Sequence, residues 1–351
     1  MKILVFGAGP LGSLLAARLF QGGHEVTLLA RGMRLRDLKR HGVVLRRWPT
    51  EETESVRVPV VGMFLSEDDY DLVLVVMRKN SALKILPLLS MNKKVPAFLF
   101  LMNNAAGPGA FIDALGKDRV MMGFPGAVGY REGHTIMYLN GSPDRPAEII
   151  MGEIDEGIAT HLGKIAQELG KGLNVKAVIE PYMDAWSKYH VALLFPSLAP
   201  ALYLCGNDNL RMSRTRDALV LAWRGIKEGF SVLKRLGYPI RPKYLKRFLF
   251  MPEPLAVYLL RKLIKNPRME IAMVRHAEVI RDEIQQLNTE FLDLVEQSGM
   301  FTPTIRFLID QFNKKTQPLP DGSRSIRLRW SEILIPVLII CLIVLVLLYI
   351  N

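Results

Sequence analysis

Residues 2–32, "KILVFGAGPLGSLLAARLFQGGHEVTLLARG", decide the fold. "KILVF" reads as a short apolar strand, "GAGPLG" as a turn opening the helix "SLLAARLF", and "VTLLA" as a second strand after "QGGHE". Continuous apolar strands alternating with helices indicate a parallel sheet covered on both faces. The single lysine before an apolar run also imitates a secretory signal, but the glycine spacing accounts for the stretch better.

Gly7, Gly9 and Gly12 form G-x-G-x-x-G directly after a strand and at the start of a helix. Each glycine has its own reason: Gly7 permits the tight turn, Gly9 lets the backbone approach a pyrophosphate, and Gly12 lets helix and strand pack closely. Gly7, Ala8, Gly9, Pro10, Leu11 and Gly12 are therefore the expected dinucleotide cradle, with unpaired N–H groups of the helix N-terminus facing the phosphates. At the end of the second strand an NAD enzyme usually has an acid for the ribose hydroxyls; "LLARG" has Arg31 instead. A guanidinium suits a 2′-phosphate, so the expected cofactor is NADP(H).

Working outward, "SVRVPVVG" near residue 60, "DLVLVVM" at 71–77 and "AFLFLMN" at 97–103 continue the strands. "RVMMGFPGAVGYREGHTIMYLNG" and "AEIIMGE" read as shorter, more antiparallel strands closing the same sheet. This first domain, an α/β Rossmann-type dinucleotide-binding domain, is expected to span residues 1–178. An all-α domain for substrate and dimerisation follows over 179–316. Its long helix carries Met273, Ala277, Ile280, Ile284, Leu287, Phe291 and Leu294 as one apolar stripe. Residues 317–331, rich in Pro, Gly, Ser and charge, read as a linker.

Residues 333–350, "ILIPVLIICLIVLVLLYI", are uncharged. As a helix they would be roughly 27 Å long, enough to cross a bilayer. Arg324, Arg327, Arg329 and Trp330 precede the run, so the expected topology is one C-terminal transmembrane helix at 332–351 with the domains in the cytoplasm.

Lys and Arg number 46 against 34 Asp and Glu, a net +12 that attracts anions: a phosphorylated cofactor, an acidic substrate or an anionic membrane leaflet. No nucleic-acid motif accompanies the charge. The two cysteines, Cys205 and Cys341, indicate neither a disulfide framework nor a zinc site. Residues 241–268 carry eight Lys or Arg against one acid, Glu253, mixed with Tyr244, Phe248, Phe250 and Tyr258. That segment is either a surface for anionic headgroups or an ordinary helical pair with core aromatics.

With "GAGPLG", "LLARG", "MNN", "GEID", "WSKYHVALL", "DEIQQLN" and "GMFTPT", the chain resembles the ketopantoate reductase family over roughly residues 1–312. Members are NADPH-dependent 2-dehydropantoate 2-reductases of pantothenate biosynthesis and their relatives. The resemblance implies that Lys188 contacts the substrate ketone and acts as the acid, and that Glu283 binds the product-side hydroxyl and orients the lysine. It also implies that Asn103, or Asn104 beside it, holds the nicotinamide side or the substrate. Arg78, with Lys79 adjacent, meets the cofactor phosphate or the substrate carboxylate, and Asn207 keeps one polar substrate contact.

The chain departs from the family at Ala192 and Pro196, where asparagines are common, and near Ile271, where a carboxylate-binding serine is expected. A site built to bond substrate hydroxyls discriminates by about 10⁴-fold, so losing these partners points to a more apolar 2-oxo acid or ketone. The expected activity is NADPH-dependent reduction of a 2-oxo acid or related carbonyl, with a homodimer as the candidate assembly. Two alternatives stay open: an NADP(H)-binding sensor or scaffold with a degenerate substrate site, and a dehydrogenase working in the oxidative direction.

Overall fold

A computed structural model describes the chain apart from residues 153–158, 276–279, 315, 337 and 340–351, and apart from the side chains of 159–161. The chain divides into two compact units, Met1–Val191 with Ile280–Glu290, and Ala192–Val279 with the chain from Phe291. The boundary therefore falls beyond residue 178. The helix Met183–Leu193 begins in the first unit because Met183 and Trp186 pack into that unit's core.

Among the described residues twelve strands follow in chain order: β1 Lys2–Phe6, β2 Glu25–Leu29, β3 Val43–Arg47, β4 Thr53–Val56, β5 Val60–Val61 and β6 Leu72–Val75, then β7 Phe98–Leu101, β8 Val120–Gly126, β9 Gly129–Glu132, β10 Thr135–Tyr138, β11 Ala147–Gly152 and β12 Val175–Ile179. Eight form the main sheet in the order β12-β11-β8-β7-β6-β1-β2-β5. Its pairs are parallel except β11 against β8. The alternation along each strand feeds two cores. Ile3, Val5, Leu72, Leu74, Leu99 and Leu101 face the helices Pro10–Gln21 and Ala159–Leu169, while Leu4, Phe6, Val73, Val75, Phe98 and Phe100 face the other side with Leu89 and Phe111. Strand order reverses between β1 and β6, and at such a switch point the loops leave an open crevice at the carboxyl edge.

The segment expected to close this sheet does so only in part. β9 and β10 join β3 and β4 in a separate four-stranded sheet, where β10 runs parallel to β3. A buried arginine fastens that layer to the first helix. Arg18 donates from Nε to the Gly141 carbonyl at 2.9 Å and from Nη2 to the Tyr138 hydroxyl at 2.9 Å, and pairs with Glu54 at 2.6 Å.

The second unit is helical and centres on Arg216–Arg235, which buries Trp223, Ile226, Phe230 and Leu233. The expected long helix over 273–294 is described from Arg281 to Ser298; Met273 lies in a π-helical segment, Glu270–Arg275, and His276 and Ala277 fall outside the described residues. Glu153–Asp155 of the "GEID" motif fall outside them too.

Residues 317–331, expected as a linker, are strapped to the second unit. Leu319 N–H donates to the Leu204 carbonyl at 2.8 Å, Arg214 forks onto Asp321, and both Ser325 and Ile326 N–H donate to the Asp217 carboxylate. Asp217 supplies acceptors for backbone N–H groups of the segment, and Asp321 in turn gives the segment a carboxylate for Arg214. Of the expected transmembrane stretch 333–350, residues 337 and 340–350 lie outside the described residues. Among the described residues no helix is long and apolar enough to cross a membrane.

Gly7 and Gly12 set the β1–helix junction. Gly7 stands at φ +125°, and a Cβ there would lie 2.3 Å from the Val76 carbonyl oxygen; a Cβ on Gly12 would lie 1.9 Å from the Gly7 carbonyl oxygen. Backbone cannot retreat as a flexible side chain can, so Gly12→Ala is expected to destabilise the protein by at least about 1–3 kcal/mol in urea unfolding. An unchanged midpoint would show that the junction tolerates the methyl group.

Candidate active site in the first unit

The carboxyl edge of the parallel strands carries the residues that the sequence singles out. After β1 the glycine turn leads into a helix with Gly9 as N-cap and Pro10 in its first turn. A Cβ on Gly9 would meet nothing within 4 Å, in contrast with Gly7 and Gly12. The backbone there borders open space, as a cradle for a pyrophosphate requires. Arg31 is the exposed N-cap of the helix Gly32–His41 at the end of β2.

Arg34, one turn onward, escaped the sequence reading. It donates from Nε to the Ala8 carbonyl at 3.2 Å, from Nη2 to Ser13 Oγ at 3.1 Å and from Nη1 to the His134 carbonyl at 3.4 Å. Burial, then the cation of Arg131, holds its pKa below the usual arginine value. A second guanidinium thus lies across the glycine turn. Nothing in "RGMRL" distinguishes it from a surface arginine, because its acceptors come from distant segments.

The loop after β7 is the second component. Asn103 donates from Nδ2 to Glu283 Oε1 at 3.2 Å, and its buried Oδ1 has no hydrogen-bond partner among the described residues. An unsatisfied buried acceptor at a strand end is uncommon and marks a place where a ligand donor would be stabilised. Asn104 faces elsewhere: Nδ2 donates to the Gly107 carbonyl at 2.8 Å, while Oδ1 accepts from Gly107 N–H at 3.1 Å and from Lys79 Nζ at 2.7 Å.

One helical segment grips this loop twice. Glu283 and Glu290 are seven residues apart on Arg281–Ser298, so they lie on one face two turns apart. Glu290 accepts from Ala105 and Ala106 N–H, each at 3.1 Å, and pairs with Lys79 Nζ at 2.8 Å. Burial pushes the Lys79 pKa down, and Glu290 opposes the shift. Arg78 pairs with Asp282 at 2.9 Å, and Asn80 donates to the same carboxylate at 3.0 Å.

Lys188 is 2 % exposed and ion-pairs with Asp184 one turn earlier. The pair lies under the Gly107 backbone: a Cβ on Gly107, at φ +86°, would sit 3.5 Å from Lys188 Nζ and 3.4 Å from Asp184 Oδ1. Trp186 stacks on His190 in the same helix, and both rings meet Phe124. Asp184 and Glu290 were legible as an i,i+4 partner of Lys188 and an i,i+7 companion of Glu283, but the sequence reading passed over both. Asn207 belongs to the second unit, at φ 57°, with Nδ2 on the Val274 carbonyl at 3.5 Å. Ala192 and Pro196 also lie there, both buried, with Pro196 inside the π-helical turn Leu194–Leu198.

Glu283 is 4 % exposed, and burial raises its pKa above the ordinary value of 4.5, against the Asn103 bond and Arg78, which lower it. A carboxyl whose pKa is raised by folding contributes its full stability below the unfolded value and loses it as pH climbs through the folded one. Wild type is therefore expected to lose melting temperature relative to Glu283→Gln as pH rises above about 4.5. A pH-independent gap would mean that Glu283 ionises as freely folded as unfolded.

Residues 3–156 match the family described as ketopantoate reductase PanE/ApbA, which is less than half of the chain. No curated protein matches. Among solved structures, D-mandelate dehydrogenase with NADH and anilino(oxo)acetate is similar at TM-score 0.73 and 16 % identity, over 90 % of this chain and 98 % of that one. 2-Dehydropantoate 2-reductase from Geobacter metallireducens is similar at 0.71 and 17 %, over 90 % and 100 %. The PanE/ApbA family ketopantoate reductase from Ralstonia eutropha is similar at 0.68 and 17 %, over 90 % and 98 %. The chain is thus similar in sequence to the ketopantoate reductase family over residues 3–156 and similar in fold to these solved structures over 90 % of its length.

Proposed function

We propose that the protein is an oxidoreductase that uses NADPH to reduce the carbonyl of a 2-oxo acid or a related, more apolar ketone. The observation that supports this best is the Lys188 ammonium, buried against the loop that follows β7, on the same sheet edge as the glycine turn. Bound nicotinamide would supply a hydride. When a hydride reaches a carbonyl carbon, the C=O π pair moves onto oxygen, and the charge needs a proton and a cation. Lys188 supplies both, and the alcohol is the product. Asp184 holds the ammonium in place, Glu283 receives the hydroxyl, and Asn103 orients the reacting group through its unpaired Oδ1.

For the cofactor, the open space at Gly9 suits the pyrophosphate, and Arg31 suits the 2′-phosphate. Charged hydrogen bonds of this kind contribute about 1.5–3 kcal/mol, so Arg31→Ala is expected to weaken NADPH binding by roughly 10–100-fold and leave NADH binding nearly unchanged. Equal loss for both cofactors in fluorescence titration would remove the 2′-phosphate assignment.

The deciding experiment is NADPH consumption by the full-length protein with a panel of 2-oxo acids and ketones, run beside Lys188→Ala. The substitution is expected to lower kcat by about 10²–10⁴-fold. Unchanged turnover would dismiss Lys188 as the acid. Ala192 and Pro196, buried where amides are expected, favour a second reading, an NADP(H)-binding sensor. It gains if cofactor binds and no member of the panel is reduced.

The membrane span over residues 333–350 is proposed on its sequence alone, as 18 uncharged residues. Full-length protein is then expected to stay in the pellet after alkaline carbonate extraction, and protein ending at residue 331 to leave it. Release of both would refute the span.

A further inference from the structure

We propose that the outer face of residues 244–263, in the second unit, docks on an anionic lipid surface. The helix Glu253–Ile264 buries Pro254, Val257 and Leu260 on one side, yet Leu255, Tyr258, Leu259 and Leu263 are exposed on the other. A helix between core and water puts mainly polar groups on its outer face; this one sets four large apolar side chains there beside Arg261 and Lys262. The turn before it adds Phe250 at 85 % exposure and Tyr244 at 64 %. Scattered exposed apolar residues are ordinary, but a run on one helix face with two flanking aromatics is an interaction surface.

The charges select the partner. Of the eight Lys and Arg between residues 241 and 268, seven are exposed, among them Arg247, Arg261 and Lys262. The one acid of that stretch, Glu253, is 1 % exposed and closed by Arg224, which bonds both its oxygens at 2.8 Å. Residues 241–268 therefore offer cations around leucine and aromatic side chains and add no exposed carboxylate of their own. Nucleic acid would use the cations but not the leucines. An anionic bilayer uses both, taking the apolar side chains at the headgroup boundary and the cations among its phosphates.

A second observation comes from the chain's own path. Arg329 N–H donates to Glu253 Oε1 at 3.0 Å, and Glu253 N–H donates to Glu332 Oε2 at 2.7 Å. The segment leading to the apolar C-terminal residues is thus fastened at the N-terminal end of the same helix. Leu334, Ile335, Leu338 and Ile339 follow it, all exposed.

The proposal is independent of turnover and is tested without it. Phe250→Trp changes an exposed side chain, and the full-length variant is placed in vesicles of brominated phosphatidylcholine with or without phosphatidylserine. Fluorescence is read against the unsubstituted chain, so that the difference reports the introduced indole. Its emission is expected to shift to shorter wavelength and be quenched when phosphatidylserine is present, and to recover in high salt. Each cation near an anionic surface contributes about fivefold, so Arg247→Gln, Arg261→Gln, Lys262→Gln and Lys265→Gln together should lower the docked population by roughly several hundred-fold. Quenching that ignores phosphatidylserine or survives the four substitutions overturns the proposal. So does a blue shift that grows with protein concentration in neutral vesicles, which would make the occupant a second copy of the chain.

Discussion

The two-point grip of Glu283 and Glu290 on the loop after β7 is the constraint on which the site depends. Two carboxylates seven residues, about 10 Å, apart on one helix bind Asn103 and the Ala105–Ala106 amides, so one element holds both parts of the loop. This explains why Ile280–Glu290, far along the chain, belongs to the first unit. Without Glu290 the loop amides and the Lys79 ammonium would lose their shared acceptor together. Breaking a buried pair of this kind costs about 3–5 kcal/mol, much more than an exposed one.

The charges of the site are arranged as neighbouring pairs: Lys79 with Glu290, Arg78 with Asp282, and Lys188 with Asp184. Glu283 differs, because its described hydrogen bond comes from a neutral amide and burial raises its pKa. Two carboxylates two turns apart on one helix thus occupy unlike environments.

Much of the first unit was legible because its signals are local. Strand, glycine turn and helix follow one another within residues 2–21, and Gly7 and Gly12 do what their spacing implies. Asn103 and Glu283 were named separately from the sequence, and the structure joins them. The rest depended on long-range geometry. The hairpin of β9 and β10 reads like any short antiparallel pair; its pairing with β3 and the reach of buried Arg18 to Tyr138 and Gly141 place it in another layer. Residues 317–331 have a linker's composition, but Asp217, Arg214 and Glu253, all outside the segment, supply partners that composition does not reveal.

That strap has a consequence for reach. A flexible segment of its length would let its far end wander by about 20 Å. Fastened at Leu319, Asp321, Ser325, Ile326 and Arg329, it leaves almost no slack. The Arg329 N–H bond to Glu253 ends the strap on the helix Glu253–Ile264, so the second unit itself sets where this segment finishes.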